Sequence, residues 1–280
     1  MTAKPRHLAG LSARAMTNPA SATTSPPQRV ALLVGAGNGL GRAIAVAFAQ
    51  TGVRVVAADL DLAAAQQTLA LAGPSADGLA LRLDIANPVD STAAVRSVTE
   101  KFGRLDILVN CAAVCLVDPL IDLTPERWDK VFAINARGAF FCMQASAAAM
   151  IPKKFGRIIT ISTPASHVGV PLFATYGASK AAVDSITKSA ALAWAPHGIT
   201  VNTISPGRMT GGMVDALDRD LARLTGQNLD ELVASRTKTL PMGRRVDPAE
   251  VAHAALWLAS DAAAYVTGER FNFTGGQELQ

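Results

Sequence analysis

Short apolar runs alternate along this chain with longer segments whose apolar positions recur at helical spacing. The run at 29–34 predicts a buried strand, and the apolar positions that follow Gly41 predict a helix. The same pattern predicts further strands at 53–58, 105–110, 157–162, 200–205 and 270–273. With 280 residues, 50% of them hydrophobic, the chain can form one large core. The alternation therefore predicts a single α/β domain, residues 29–280, with a doubly wound parallel sheet and helices on both faces.

Charge and composition exclude several classes of protein. The net charge is +4, but residues 1–29 hold four basic residues and no acidic one, so the remainder is neutral and offers no nucleic-acid face. Residues 1–28 are rich in Ala, Ser, Thr and Pro and predict a disordered extension, although an Arg-bearing, acid-free leader is also similar to a transit peptide. No apolar run is long enough to span a bilayer. The three cysteines suggest no disulfide framework, and neither they nor the histidines have metal-ligand spacing, so we expect a cytoplasmic protein without a metal.

A glycine-rich turn joins the first predicted strand to the first predicted helix. Its sequence, Gly35-Ala36-Gly37-Asn38-Gly39-Leu40-Gly41, lets the backbone approach a diphosphate, and a helix N-terminus supplies free N–H groups. The spacing is not G-x-G-x-x-G, because Leu40 stands at the third glycine position. Asp59 ends the second strand, where a carboxylate can accept bonds from a ribose and repel a 2′-phosphate. The turn and Asp59 together predict a dinucleotide site that prefers NAD to NADP, whereas Asp61 is interpreted as a solvated loop carboxylate.

Tyr176 and Lys180 are four residues apart, in the segment Tyr-Gly-Ala-Ser-Lys. On a helix their side chains lie on one face and neighbour each other. A nearby positive charge favours the phenolate and so lowers the pKa of a tyrosine. This pair suits proton exchange with the oxygen of an alcohol or a ketone.

These motifs together resemble the classical short-chain dehydrogenase/reductase family, from about Val30 to Gly276. The glycines match that family's T-G-x-x-x-G-x-G turn with Val34 in place of Thr, and Tyr176 and Lys180 match Y-x-x-x-K. The segment that begins at Asn110 matches N-N-A-G only at its first and third positions. The resemblance implies a Rossmann-like fold and the following cofactor contacts: Gly35, Asn38, Gly39, Leu40, Gly41, Asp59, Asp84, Ile85, Asn110, Ala112, Tyr176, Lys180, Pro206, Gly207 and Thr210.

The resemblance also implies a catalytic tetrad of Asn135, Thr163, Tyr176 and Lys180. In it, Tyr176 exchanges the hydroxyl proton, Lys180 lowers the tyrosine pKa and binds the nicotinamide ribose, and Asn135 supports Lys180 through a water. The family's serine lies thirteen positions before the tyrosine, where this chain has Thr163. Threonine keeps a hydroxyl that can donate and accept, so we assign it the serine's role. Ser162 and Ser166 are the alternatives.

The resemblance implies an NAD-dependent oxidoreductase that acts on a secondary alcohol or ketone. It also implies assembly as a homotetramer or homodimer through helices around 126–150 and 176–194.

The segment 211–245 is polar and helical in pattern, which predicts a lid over the substrate. Its length and charge favour a polar substrate such as a polyol or sugar derivative. A 3-oxoacyl thioester is an alternative, and a dinucleotide-binding or scaffolding protein with weak turnover is an alternative of another class.

Overall fold

The computed structural model describes residues 28–73 and 77–279, and these contain one seven-stranded sheet surrounded by nine α-helices. The strands are β1 (Val30–Val34), β2 (Arg54–Asp59), β3 (Leu79–Arg82), β4 (Ile107–Asn110), β5 (Gly156–Ile161), β6 (Ile199–Pro206) and β7 (Arg270–Phe273). The helices are α1 (Gly39–Gln50), α2 (Leu62–Leu71), α3 (Pro88–Phe102), α4 (Pro125–Phe132), α5 (Ala139–Met150), α6 (Ala174–Trp194), α7 (Gly212–Thr225), α8 (Leu229–Lys238) and α9 (Pro248–Ala259). The strand order is β3-β2-β1-β4-β5-β6-β7, and all neighbouring strands are parallel. The predicted doubly wound α/β fold is therefore confirmed.

All six predicted strands are present, each within two residues of its predicted bounds. The inner strands are recognisable in the sequence because a parallel strand covered on both faces reads as a continuous apolar run. The seventh strand, β3, pairs with β2 at the edge of the sheet, and its four residues are half-buried or exposed. The other edge strand, β7, is equally short and half-buried.

Two apolar cores, one on each face of the sheet, hold the helices in place. On one face α1 and α9 pack together and against the sheet through buried side chains that include Ile44, Phe48 and Leu258. On the other face α3, α5 and α6 pack through residues such as Val98 and Met143. Alternate residues of β1 point into the two cores, as the period of a strand requires. Each large side chain buried in this way contributes roughly 1.5–3 kcal/mol.

The strand order creates a crevice at the carboxyl end of β1. The chain leaves β1 toward β2 and β3 and then returns to β4 on the opposite side, so the connections after β1 and β4 diverge there. The turn after β1 is held by hydrogen bonds from the Gly35 and Ala36 amides to the Ala58 carbonyl, at 2.8 and 3.1 Å. An ideal Cβ on Gly41 would lie 2.0 Å from the Gly35 carbonyl oxygen. Helix α1 therefore packs directly against the turn, with no room for a side chain between them.

The helix predicted around 126–150 is interrupted. Helix α4 ends at Phe132, a π-helical segment spans Ala133–Gly138, and α5 begins at Ala139. An ideal Cβ on Gly138 would lie 2.4 Å from the Ile85 carbonyl oxygen, so the π segment closely approaches the loop after β3. Such single-turn π segments are frequent at functional sites.

The predicted disordered extension, residues 1–28, lies outside the described residues except for Gln28. Across residues 28–73 and 77–279, no helix combines the length and the apolar character needed to cross a bilayer.

Candidate active site

A cavity of about 450 Å³ opens at the carboxyl edge of the sheet. It extends from the glycine-rich turn after β1, past the ends of β4 and β5, to the loop after β6 and the start of α7. The carboxyl ends of parallel strands all lie at this edge, so residues that are distant in the sequence line one space.

The glycine-rich turn forms one wall of this cavity and presents backbone rather than side chains. Gly35 has φ +79°, and an ideal Cβ there would lie 2.6 Å from the Ala112 nitrogen. Helix α1 begins after Asn38, whose side chain makes no capping hydrogen bond, and its first turn has no acidic residue. Free N–H groups at a helix N-terminus attract anions. The turn therefore fits the diphosphate of a dinucleotide.

Asp59 lies beside this turn and lines the cavity. Its Oδ2 accepts a hydrogen bond from the Gly37 amide at 2.7 Å, and its Oδ1 accepts one from the Asp61 amide at 3.1 Å. Both contacts hold the carboxylate in place. The Asp61 side chain instead accepts from the amides of Ala63 and Ala64 and caps α2. Asp61 thus has a structural role at the surface, and Asp59 is the carboxylate available to a ribose.

Tyr176 and Lys180 lie one turn apart on α6 and meet Thr163 in the cavity. The Lys180 side chain is buried, and its Nζ donates a hydrogen bond to the Ile161 carbonyl at the end of β5, at 2.6 Å. That Nζ lies 5.9 Å from the centre of the Tyr176 ring. Thr163 follows β5 directly after Ser162 and lines the cavity with Tyr176 and Lys180. The phenol, the ammonium and the threonine thus share one cavity, while their catalytic roles stay predictions.

Burial raises the pKa of the Tyr176 phenol above its ordinary value, Cys115 adds to this, and the Thr163 hydroxyl opposes it. This increase in the pKa of Tyr176 is opposite to the decrease that the positive charge of Lys180 alone predicts. Burial also lowers the pKa of Lys180 to about 8. At neutral pH the phenol therefore keeps its proton, and Lys180 keeps its positive charge. A protonated phenol beside a cation suits proton donation to a carbonyl oxygen.

The three candidate hydroxyls lie in different surroundings. Thr163 and Ser162 line the cavity. The Ser162 hydroxyl is buried and has no hydrogen-bond partner within the part of the chain that the structure describes. The Ser166 hydroxyl donates to the Thr163 carbonyl at 2.8 Å and lies 3.3 Å from His167 Nδ1, outside the cavity lining. Thr163 is therefore the candidate hydroxyl that a substrate in the cavity can reach, because Ser162 lines the cavity with its hydroxyl buried.

Asn135 and Asn110 lie behind the cavity rather than in its lining. Asn135, in the π segment, accepts from the Val114 amide and donates to the Val114 carbonyl, both at 2.8 Å. It also donates to the Ser179 hydroxyl at 3.1 Å. Asn110, at the end of β4, donates to the Ala139 carbonyl at 3.3 Å. Both amides fasten the loop after β4 to neighbouring helices, and the predicted relay through Asn135 and cofactor contact of Asn110 stay predictions.

The other residues predicted to contact a cofactor all line the cavity, although whether each one binds it stays a prediction. They are Gly35, Asn38, Gly39, Leu40, Gly41, Asp59, Asp84, Ile85, Ala112, Tyr176, Lys180, Pro206, Gly207 and Thr210. Asp84 accepts a hydrogen bond from the Ala86 amide at 3.0 Å, which holds its carboxylate at the rim.

The segment predicted as a lid begins against the glycine-rich turn. An ideal Cβ on Gly212 would lie 3.6 Å from the Gly39 Cα, so the start of α7 approaches the turn closely. From α7, the side chains of Met213, Val214 and Leu217 line the cavity. The sequence pattern of this segment is polar, but its acidic side chains lie elsewhere and the face it turns to the cavity is largely apolar.

Two arginines line the cavity although the sequence analysis gave them no functional role. Arg208 directly follows Pro206-Gly207, and this position beside a motif is the signal that could have found it. Arg236 lies on α8, where nothing in the periodicity distinguishes it from the neighbouring polar residues.

A third arginine supports the loop that carries Thr163. Arg270, on β7, donates to the Thr163 carbonyl at 3.0 Å and to the Ser205 hydroxyl at 2.7 Å. It also pairs with Glu278 and lies 3.4 Å from an Asp184 carboxylate oxygen. This buried guanidinium connects the catalytic loop to β6, α6 and the last described residues of the chain.

The family model that matches this chain, described as enoyl-(acyl carrier protein) reductase, covers residues 35–278. The galactitol 2-dehydrogenase of Agrobacterium fabrum is 39% identical over 249 residues, and the sorbitol dehydrogenase of Cereibacter sphaeroides is 37% identical over 249. Each alignment covers 89% of this chain and 96% of the relative. The 3-oxoacyl-(acyl-carrier-protein) reductase of Vibrio cholerae is 35% identical over 251 residues, which are 90% of this chain and 98% of the relative.

Solved structures agree with the fold. An actinorhodin polyketide ketoreductase, solved with NADPH, superposes with a TM-score of 0.87 at 30% identity. The superposition covers 90% of this chain and 98% of that one.

The buried Lys180 predicts how stability depends on pH. Its pKa is about 8 in the folded protein, against 10.5 for an unperturbed lysine. Between these values the unfolded chain binds more protons, so the free energy of unfolding should rise with pH, by roughly 1 kcal/mol per pH unit. Lys180→Met removes this titration. The stability of the wild type relative to Lys180→Met, measured by urea denaturation, should therefore increase across this range.

Lys188→Met is the matched control, because Lys188 is an exposed lysine on the same helix. The difference in free energy of unfolding between the wild type and Lys188→Met should not increase with pH in this way. A difference between wild type and Lys180→Met that stays constant from about pH 8 to about pH 10 would contradict a lowered pKa for Lys180.

Proposed function

The chain belongs to the classical short-chain dehydrogenase/reductase family of secondary-alcohol oxidoreductases, and we propose that it oxidises a polyol or sugar derivative with NAD. One observation carries the proposal: Tyr176, Thr163 and Lys180 meet in a cavity that also contains the glycine-rich turn and Asp59. A proton-transfer group, a hydroxyl for the substrate oxygen and a ribose-binding carboxylate thus share one site. Because the chain is an enzyme of this family, the alternative of a scaffolding protein is not retained.

The cofactor choice rests on Asp59. A nicotinamide dinucleotide is the cofactor of this family, and its diphosphate fits the free N–H groups at the start of α1. The Asp59 carboxylate is held by the Gly37 amide at the edge of the turn, where it would accept bonds from the adenosine ribose. It would repel the additional phosphate of NADP, which supports NAD. The structural relative solved with NADPH carries the other cofactor, so the fold alone does not favour either.

Tyr176, Thr163 and Lys180 have different roles in the proposed reaction. For oxidation, Tyr176 must first lose its own proton to solvent; the phenolate then accepts the proton of the substrate hydroxyl, and Thr163 donates a hydrogen bond that holds the same oxygen. Lys180, cationic at neutral pH, favours this phenolate until the proton arrives. When bound, NAD supplies the hydride acceptor. In the opposite direction the phenol, with its raised pKa, donates its proton to the carbonyl oxygen.

The substrate class rests on the relatives and on the polar groups of the cavity. The similarity to a galactitol and a sorbitol dehydrogenase supports a polyol, and the cavity offers hydroxyls and guanidinium groups that can bond to several oxygens. A 3-oxoacyl thioester is the second candidate, because Met213, Val214 and Leu217 give the lid an apolar inner face. The similarity to a 3-oxoacyl reductase also supports it.

We propose that the enzyme assembles as a homotetramer or homodimer. The helices predicted to pair with their symmetry mates expose large apolar side chains, Trp128 on α4 and Leu192 on α6, which are 40% and 82% exposed. Burying such side chains against a second copy would remove apolar surface from water. Analytical ultracentrifugation at micromolar concentration should give a dimer or tetramer, and a monomer alone would refute the proposal.

We propose a cytoplasmic location. Cys111, Cys115 and Cys142 are free thiols, and burial raises the pKa of each to about 12, so they remain protonated. Free, unreactive thiols are usual in a reducing compartment. Cell fractionation followed by immunodetection tests the location, and recovery in an oxidising compartment would contradict it.

The substrate proposal is tested by supplying NAD with galactitol, sorbitol and simple secondary alcohols, and NADH with a 3-oxoacyl thioester, while NADH absorbance is followed. We expect the highest kcat/KM with a polyol, because several of its hydroxyls can be bonded at once. Tyr176→Phe is the control, since it keeps the ring and removes only the acid–base group. A kcat/KM that is higher with the thioester than with every polyol would reverse the order of the two candidates.

The assignment of the hydroxyl predicts different outcomes at two neighbouring positions. Thr163→Val keeps the shape of the side chain and should reduce turnover by about 10²–10³-fold, because one oxygen-stabilising donor is lost. Thr163→Ser should retain activity. Ser162→Ala, the matched control, should have little effect, because Ser162 also lines the cavity but its hydroxyl is buried. Full activity of Thr163→Val together with loss of activity in Ser162→Ala would transfer the role to Ser162.

The cofactor proposal predicts that kcat/KM with NAD exceeds that with NADP by about 10²-fold, the effect of placing like charges together. Asp59→Ala should bring the two values close together. Asp61→Ala removes a neighbouring carboxylate that caps α2 and lies outside the cavity lining, so it should leave the preference unchanged. Equal efficiency of the unmutated enzyme with both cofactors would refute the role of Asp59.

A further inference from the structure

The lid and the loop after β6 contain a group of charged side chains that the proposed hydride transfer does not use. We call it the arginine cluster; it consists of Arg208, Arg236 and Arg245 with Asp215 and Asp218. Asp218 is 1% exposed and accepts hydrogen bonds from both Arg236 and Arg245. Arg245 also pairs with Asp215 at 3.1 Å. Two of the three guanidinium groups therefore share the two carboxylates.

Arg208 is the member of the cluster without a carboxylate. Its Nη1 donates to the backbone carbonyl of Arg236, and within residues 28–73 and 77–279 no acidic oxygen lies within 4.0 Å of its guanidinium. Asp218 is already engaged by the other two arginines. Most of the five N–H donors of Arg208 are thus available to another group.

Arg208 lies in the wall of the cavity that contains the candidate catalytic residues. Arg208 follows Pro206-Gly207 at the end of β6 and lines the same cavity as Tyr176 and Thr163. It also lines a second, adjoining cavity of about 260 Å³, so it lies on the wall between them. Arg236 lines the main cavity beside it.

The surroundings of Arg208 destabilise its charge. Burial lowers its pKa to about 10, and the positive charges of Arg236 and Arg245 contribute, while Asp218 acts in the opposite direction. The group is still cationic at neutral pH. A partly buried cation without a counter-charge costs free energy, and an anion placed against it removes that cost through charge-assisted hydrogen bonds.

We propose that Arg208, with Arg236 beside it, binds an anionic oxygen group of the substrate, a carboxylate or a phosphate, at the end remote from the reacting carbon. The planar guanidinium fits such groups in a bidentate manner. The substrate class is then an acidic sugar derivative, such as an aldonate or a phosphorylated polyol, rather than a neutral polyol. This assignment rests on the proposed function, because it names the substrate of the same site.

The cofactor's diphosphate is the other anion that enters this cavity. The free N–H groups at the start of α1 already provide for it, without a side chain from the lid. The experiment must therefore distinguish binding of the substrate's anionic group by Arg208 from a role of Arg208 in cofactor binding.

The test measures binding without turnover. Wild-type enzyme is saturated with NADH, which cannot oxidise an alcohol, and titrated by calorimetry with D-gluconate, D-sorbitol 6-phosphate and D-sorbitol. We expect at least one of the two anions to bind about 10- to 100-fold more tightly than sorbitol, the effect of a hydrogen-bonded charge pair. The anion that binds more tightly identifies the group as a carboxylate or a phosphate.

Variants then locate the effect. Arg208→Gln should abolish the preference for the anion, and the affinity for sorbitol should fall much less, because the glutamine amide can still bond a hydroxyl. Arg208→Lys should retain part of the preference because the charge remains. Arg219→Gln is the matched control, since Arg219 is an exposed arginine on α7 outside the cavity lining. The dissociation constant of NADH and the unfolding midpoint of each variant show whether the fold and the cofactor site are intact.

Three results would overturn the proposal: sorbitol binding as tightly as both anions, no measurable binding of either anion, or a loss of NADH affinity in Arg208→Gln as large as the loss of anion affinity. These results are independent of the test of function. If the anion binds through Arg208 but no polyol or acidic derivative is oxidised, the proposed function fails and the anion site stands. If polyols are oxidised and neither anion is preferred to sorbitol, the proposed function stands and the anion site fails.

Discussion

Lys180 is buried, and its ammonium donates a hydrogen bond to the Ile161 carbonyl at the end of β5. A buried ammonium is costly unless its donors find partners, so this contact restricts where α6 can lie against the sheet. Gly177 allows the close approach, since an ideal Cβ there would lie 2.5 Å from the Ala165 carbonyl oxygen. The phenol of Tyr176 and the hydroxyl that follows β5 face one cavity because α6 is held at this distance.

The cavity is electrostatically asymmetric. At one end the Asp59 carboxylate lies beside a turn of backbone N–H groups, which together suit a ribose and a diphosphate. Near the lid, Asp218 and Asp215 pair with Arg236 and Arg245, while Arg208 has no carboxylate partner among the described residues. In the function that we propose, the anionic group selects the cofactor and the cationic group selects the substrate. Both proposed selections depend on side chains outside the candidate catalytic group.

The elements that follow from local pattern were predictable, and those that depend on context were not. Buried parallel strands are continuous apolar runs, so the inner strands could be located, whereas the short, half-exposed edge strand β3 was not predicted. The segment around 126–150 has helical periodicity throughout, and that periodicity does not reveal the π turn at Ala133–Gly138. The close approach of Gly138 to the Ile85 carbonyl lies between separate parts of the chain, and no pattern within the segment reports it.

By itself the sequence determined the fold class and which residues are candidates for the chemistry, because these depend on spacing within short segments: four residues from Tyr176 to Lys180, or a carboxylate at a strand end. Only the tertiary structure decided which way the pKa of Tyr176 shifts, since burial depends on every element packed around the ring. It also decided that Asn135 bonds to Val114, 21 residues away, and that Arg270 supports Thr163 across 107 residues. Contacts at such separations arise from the packing of whole elements, which local spacing in the chain does not encode.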